Sequence, residues 1–137
     1  MDKLKDKSDL NISAAEFMLE KNMYCSVCHP AYYSCLQLMK YYIKNKLDID
    51  YEKQATDTSS TYHGDSHRYI ITIIRQKLKE SINKEIARVF DSQIKDLKNW
   101  RITSDYSHED VNRDQCIDAI RIAKEIRKTI TNNIKKQ

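Results

Sequence analysis

The chain has 137 residues, 40% of them hydrophobic and 32% charged, with a formal net charge of +4. That length suffices for one domain around one core, and a mildly basic balance permits a nucleic-acid partner without demanding one. One Gly and one Pro exclude a turn-rich β fold, because tight turns need both residue types.

The opening stretch, MDKLKDKSDLNIS, is charged and lacks the apolar segment of a secretory signal. No run of about 18 apolar residues follows. The expectation is a cytoplasmic protein with no membrane contact, whose four cysteines stay reduced thiols. Ser13 and Glu16 have capping-box spacing, which predicts a first helix from Ser13 to about Lys21, with Ala14, Phe17 and Met18 on its apolar side.

Residues 24–47 predict a second, longer helix. Cys25, Cys28, Tyr32, Cys35, Met39 and Tyr42 recur at three- and four-residue steps, and Leu36, Ile43 and Leu47 widen that stripe. Pro30 belongs in its first turn or kinks it. Within this segment Cys25-Ser-Val-Cys28-His29 has the form of a c-type haem attachment string. Covalent haem would call for export, which the N-terminus does not signal. Cys25 and Cys28 could also join His63 and His67 as a zinc set. The stretch between Cys28 and His63 is, however, far longer than the roughly dozen residues of a zinc finger. Core packing of the thiols is the competing reading, and no cofactor is expected. Tyr24, Tyr32, Tyr33, Tyr41 and Tyr42 cluster here too, as buried rings with partnered hydroxyls or as platforms for bases.

Asp48 to Asp65 is rich in Ser, Thr and Asp and holds the single Gly. It reads as a long mobile loop. Ile70, Ile73, Ile74 and Leu78 give a third helix, with a break near Ser81 and Asn83. Ile82, Ile86, Val89, Phe90, Ile94, Leu97 and Trp100 give a fourth, ending near Ser107. On that helix Arg101, Asp105 and His108 fall at i, i+4 and i+7, one face. Arg can hold a phosphate and stabilise charge developing on it, and His can move a proton near neutrality. The same spacing also suits a solvated face with an Arg–Asp pair worth a few tenths of a kcal/mol, roughly 0.3.

Asp110 or Asn112 caps a fifth helix striped by Cys116, Ala119, Ile120, Ala123, Ile126 and Ile130. Its cations Arg121, Lys124, Arg127, Lys128, Lys135 and Lys136 form a solvated face or a phosphate-binding strip. The polar tail from Asn132 is expected to fray. The sum is an all-α bundle of about five helices. It forms a single domain over 1–137 with an ordered core at about 12–131.

Three stretches resemble the HEPN family (higher eukaryotes and prokaryotes nucleotide-binding domain). They are Ala31-Tyr32-Tyr33-Ser34 followed by Leu36, Leu38 and Met39; His63-Gly64 to His67 ahead of the Ile-rich helix; and Leu97 to Tyr106, an L-x-x-x-R-x-x-x-D-Y segment. The likeness spans roughly residues 12–130. It implies an up-and-down helical bundle, commonly a homodimer. Many members are metal-independent ribonucleases of toxin or defence type with an Arg-x4–6-His motif, and Arg101-x6-His108 meets its outer limit. Ile102 stands where active members carry a polar residue, and the Arg-x3-Asp-Tyr segment is that of a particular branch.

By that resemblance His108 is the general base or acid and Arg101 the stabiliser of the transition state. Asp105 orients Arg101 or the His of the second chain, and Tyr106 contacts phosphate or stacks. RNA or a nucleotide is the implied ligand. The implied alternative is a non-catalytic partner of a minimal nucleotidyltransferase.

Overall fold

A computed structural model describes residues 2–81 and 83–135. Ile82 and Lys136, which entered the sequence reading, lie outside the described residues, as do Met1 and Gln137. Among the described residues there are six α-helices, one short 3₁₀ turn at Tyr24–Ser26 and no strand. The helices are α1 (Leu4–Glu20), α2 (Cys28–Leu47), α3 (Tyr51–Tyr62), α4 (Ser66–Lys79), α5 (Glu85–Tyr106) and α6 (Arg113–Asn133). The all-α bundle expected from composition is thus present, with one helix more than expected. No described helix is long and apolar enough to cross a membrane.

α2 is the central element and packs against α1, α4, α5 and α6. Its buried set includes Cys28, Tyr32, Cys35, Leu36, Met39, Tyr42 and Ile43, the stripe legible in the sequence. Cys25 departs from it: it sits in the 3₁₀ turn and is exposed, because α2 starts only at Cys28. Pro30 occupies the third helical position, where its missing N–H costs nothing. Phe90, Ile94 and Leu97 of α5, Ile74 and Leu78 of α4, and Ile126 and Ile130 of α6 complete the core. Val89, expected on the buried stripe, is exposed.

Several boundaries differ from the sequence reading. α1 starts at Leu4, well before Ser13, so the expected capping box is helix interior. Ser8, Ile12 and Ala15 are its buried face, and Phe17 is exposed. The expected loop at 48–65 contains α3. Asp50 caps it by accepting a hydrogen bond from the Lys53 N–H. α3 docks through polar groups rather than an apolar stripe: Gln54 Nε2 donates to the carbonyls of Ile49 and Lys40 at 2.9 and 3.3 Å. Hydrophobic periodicity therefore gives no sign of it. The tail differs as well, because α6 runs through Asn133 and Ile134 is fully buried.

Arg127, expected on an exposed basic face, is a strut. Its guanidinium donates to Ser8 Oγ, to the Ser34 carbonyl at 3.3 Å and to Asp9 at 2.5 Å, tying α6 to α1 and α2. Arg121 pairs with Asp118 and Glu125, and Lys124 with Glu16. Three of the expected strip's cations are therefore already engaged by carboxylates.

Candidate functional site

One end of the bundle gathers the start of α2, the start of α4 and the last turns of α5. Each is set by local chemistry. The 3₁₀ turn before α2 is pinned from outside: Ser104 Oγ of α5 donates to the Cys25 carbonyl at 2.7 Å, and Cys116 Sγ of α6 donates to the Tyr24 carbonyl at 3.4 Å. That fixes where α2 begins and puts His29 on its first turn. The α3–α4 link is tight because His63 and Gly64 both take positive φ, 52° and 87°. Asp65 then caps α4 by accepting from the Arg68 N–H, which places His67 in the first turn of that helix.

Arg101 is the centre. The residue is 7% exposed, and its guanidinium carbon lies 5.1, 5.7 and 5.8 Å from the ring centroids of Tyr32, Tyr33 and Tyr106. Its carboxylate neighbour is Asp105, with Oδ2 3.8 Å from a terminal nitrogen, too far for a hydrogen bond. Its Nε is buried and has no partner among the described residues. Aromatic faces thus hold the cation while leaving its hydrogen-bonding capacity for something else.

Two imidazoles flank it. His29 Nδ1 is 2.8 Å from Asp105 Oδ2. The ring also stacks on Tyr33 with centroids 4.5 Å apart. His67 Nδ1 is 3.1 Å from the Tyr32 hydroxyl, and its ring is 5.6 Å from that of Tyr33. Burial, together with the positive charges of Arg101 and Lys98, pushes His67 below the ordinary histidine range, so it is neutral at pH 7. Burial pushes the Tyr32 hydroxyl well up, and it keeps its proton.

Arg101, Asp105 and Tyr106 lie side by side at the end of α5. His108 does not share their helical face, because α5 ends at Tyr106. Ser107 adopts an extended backbone and its Oγ accepts from the Glu109 N–H, so the short polar side chains of this segment bond locally instead of continuing the helix. The exposed His108 lies in the connection to α6. His29 and His67 supply the imidazoles near Arg101 instead. Both carried a sequence signal, His29 in the C-x-x-C-H string and His67 in the zinc and family readings, but neither signal pointed to Arg101.

The cysteines behave as core groups where they are buried. Burial, reinforced by the neighbouring Cys116, pushes the Cys28 thiol up to about 12, and burial does the same to Cys35. Among the described residues no three His, Cys, Asp or Glu side chains are grouped to hold a metal ion. The zinc set of Cys25, Cys28, His63 and His67 is therefore not assembled.

Neither a search of curated proteins nor one of solved structures found a match. The family comparison did: the HEPN domain model matches residues 1–134, nearly the whole chain. With its all-α bundle and its Arg101–Asp105–Tyr106 segment at one end, the chain belongs to the HEPN domain family.

Proposed function

We propose that the protein binds RNA with one phosphodiester held at Arg101, and that it cleaves that RNA without a metal, acting as a homodimer. The observation that carries this reading is the buried guanidinium without a hydrogen-bonded anion. A buried cation with no hydrogen-bonded anion is costly, and an incoming phosphate offsets that cost through charge-assisted hydrogen bonds.

In the cleavage step the ribose 2′-oxygen gives its proton to a base and attacks phosphorus. The P–O5′ bond then breaks as an acid protonates the leaving oxygen, leaving a 2′,3′-cyclic phosphate. His67, neutral at pH 7, suits the base. With its Nδ1–H donating to the Tyr32 oxygen, Nε2 carries the lone pair. His29, held by Asp105, suits the acid. Arg101 stabilises the charge developing on the phosphate oxygens, and Asp105 orients His29. His108, two residues beyond α5, is not assigned the proton transfer that its sequence spacing suggested. The exposed Ile102 beside the site is apolar surface that a second copy would cover.

The test is cleavage of mixed RNA in chelator by wild type, Arg101→Ala, His29→Ala, His67→Ala and His108→Ala. Loss in the first three variants with retention in His108→Ala supports the reading; equal cleavage by all five rejects it. Sedimentation of the free protein tests the homodimer.

The position of His108 off the Arg101 face favours a second reading, a non-catalytic module that partners a minimal nucleotidyltransferase. Its signature is Arg101-dependent nucleotide binding with no RNA cleavage by wild type.

A further inference from the structure

The groove between α4 and α5 starts beside the Arg101 site. It encloses about 480 Å3 and is lined by Arg68 and Arg75 from α4 and Lys95 and Lys98 from α5. Arg68 directly follows His67 in the chain. Lys98 and Lys95 precede Arg101 by about 4.5 and 9 Å along the helix axis at about 1.5 Å per residue.

The groove's two carboxylates leave Arg68, Lys95 and Lys98 without an ion-pair partner and engage only Arg75. Asp65 is occupied as the cap of α4, and Asp91 forms an ion pair with Arg75 at 3.7 Å. Among the described residues no carboxylate comes within 4.0 Å of the side-chain nitrogens of Arg68, Lys95 or Lys98. The contrast with α6 is direct: there Arg121, Lys124 and Arg127 are all paired. Two tyrosines already carry guanidinium groups of this strip. The Arg68 guanidinium is 5.6 Å from the Tyr62 ring, and Tyr106, 76% exposed, lies against Arg101. Such rings stack on unpaired bases, whose faces a duplex keeps covered.

We propose that the α4–α5 groove is a phosphate track that takes the linkages flanking the one at Arg101, so that the ligand is single-stranded RNA several nucleotides long rather than a mononucleotide. This rests on the reading of Arg101 as a phosphate site. Within it, Arg68 and Lys95 bind backbone phosphates, and Lys98 bridges the track to the site.

The test measures, on the full chain, binding of a labelled oligouridylate of about 12 nucleotides by anisotropy across a salt series, and of uridine monophosphate by NMR. Four proteins are compared: wild type, Arg68→Ala/Lys95→Ala, a charge-matched control Lys124→Ala/Lys128→Ala, and Arg101→Ala. Circular dichroism melts establish that each is folded. The groove double variant is expected to weaken oligomer binding about tenfold and to lower the salt slope by about 1.4, two phosphates at about 0.7 each for a single strand. The control should change affinity less than about twofold, with mononucleotide binding unchanged in both double variants.

The track is rejected if wild type does not bind the oligomer, or if the groove variant matches wild type. It is equally rejected if the control loses as much as the groove variant, or if a duplex of the same length binds as tightly as the single strand. Arg101→Ala separates the two readings. If it weakens both ligands while the groove variant weakens neither, the Arg101 site stands and the track falls. If it affects neither ligand while the groove variant weakens the oligomer, the groove binds RNA and the reading of Arg101 falls.

Discussion

Asp105 Oδ2 and His29 Nδ1 are 2.8 Å apart, although 76 residues separate them in the chain. The contact draws the carboxylate toward the imidazole and away from Arg101, whose nearest approach to it is 3.8 Å. A carboxylate clamped on Arg101 would compete with phosphate; one engaged by His29 competes less. Asp105→Asn is therefore expected to keep RNA affinity within about threefold and to slow cleavage about tenfold, because the imidazole loses its charged orienting partner. Single-turnover rates at saturating enzyme separate the two effects. A variant that loses affinity and keeps its rate contradicts this role.

Arg101 should trade stability for binding. Replacing it with Met keeps most of the packing against Tyr32 and Tyr33 while removing a buried charge with no hydrogen-bonded anion. Arg101→Met is expected to leave unfolding stability unchanged or raise it by about 1 kcal/mol, and to abolish RNA binding. Urea denaturation measures the first and anisotropy the second. A loss above about 2 kcal/mol would show that the residue's main role is structural.

His67 gives a pH dependence with a definite sign. Its folded-state midpoint lies below the ordinary 6.5, through burial and the charges of Arg101 and Lys98. The unfolded chain therefore takes up the proton first as pH falls, and stability declines from about 6.5 down to the folded midpoint, then levels. NMR titration should find His67 titrating below the ordinary histidine value of 6.5. Inorganic phosphate should raise the His67 midpoint, since an anion near Arg101 offsets the positive field. A midpoint that phosphate does not move contradicts the anion site.

The four cysteines should split one against three. Cys25 is exposed, and Cys28, Cys35 and Cys116 are buried with thiols held above their ordinary range. Ellman's reagent on native protein should modify Cys25 at least about 100-fold faster than the others. Cys25→Ser should remove the fast phase, and urea should expose the remainder together.

α3 is expected to be the least stable helix, since polar contacts dock it. Gln54→Ala removes the donor to the Lys40 and Ile49 carbonyls and should cost about 1–2 kcal/mol. Amide exchange across residues 51–62 should accelerate, with α2 and α6 little changed. Uniform acceleration throughout would place α3 in the global unfolding unit.

The stripes of α2, α4, α5 and α6 are legible in the sequence because burying apolar side chains at helical spacing is a local, periodic requirement. The scarcity of Gly and Pro excludes β structure for an equally local reason. The cap of α6 is legible as one of two candidates, Asp110 or Asn112; the structure selects Asn112, which accepts from the Gln115 N–H while the Gln115 side chain accepts from the Asn112 N–H. α3 is hidden because its buried positions, Gln54 and Thr58, are polar. The pairing of Arg101 with Asp105 and Tyr106 follows from spacing along one helix. The sequence by itself thus determined the helical class, the core and the Arg101 segment. Which imidazoles reach Arg101 was decided only by the tertiary structure. The end of α5 turns His108 away, while the pinned start of α2 and the tight α3–α4 link bring in His29 and His67. Those placements depend on contacts between segments tens of residues apart, which no local period encodes.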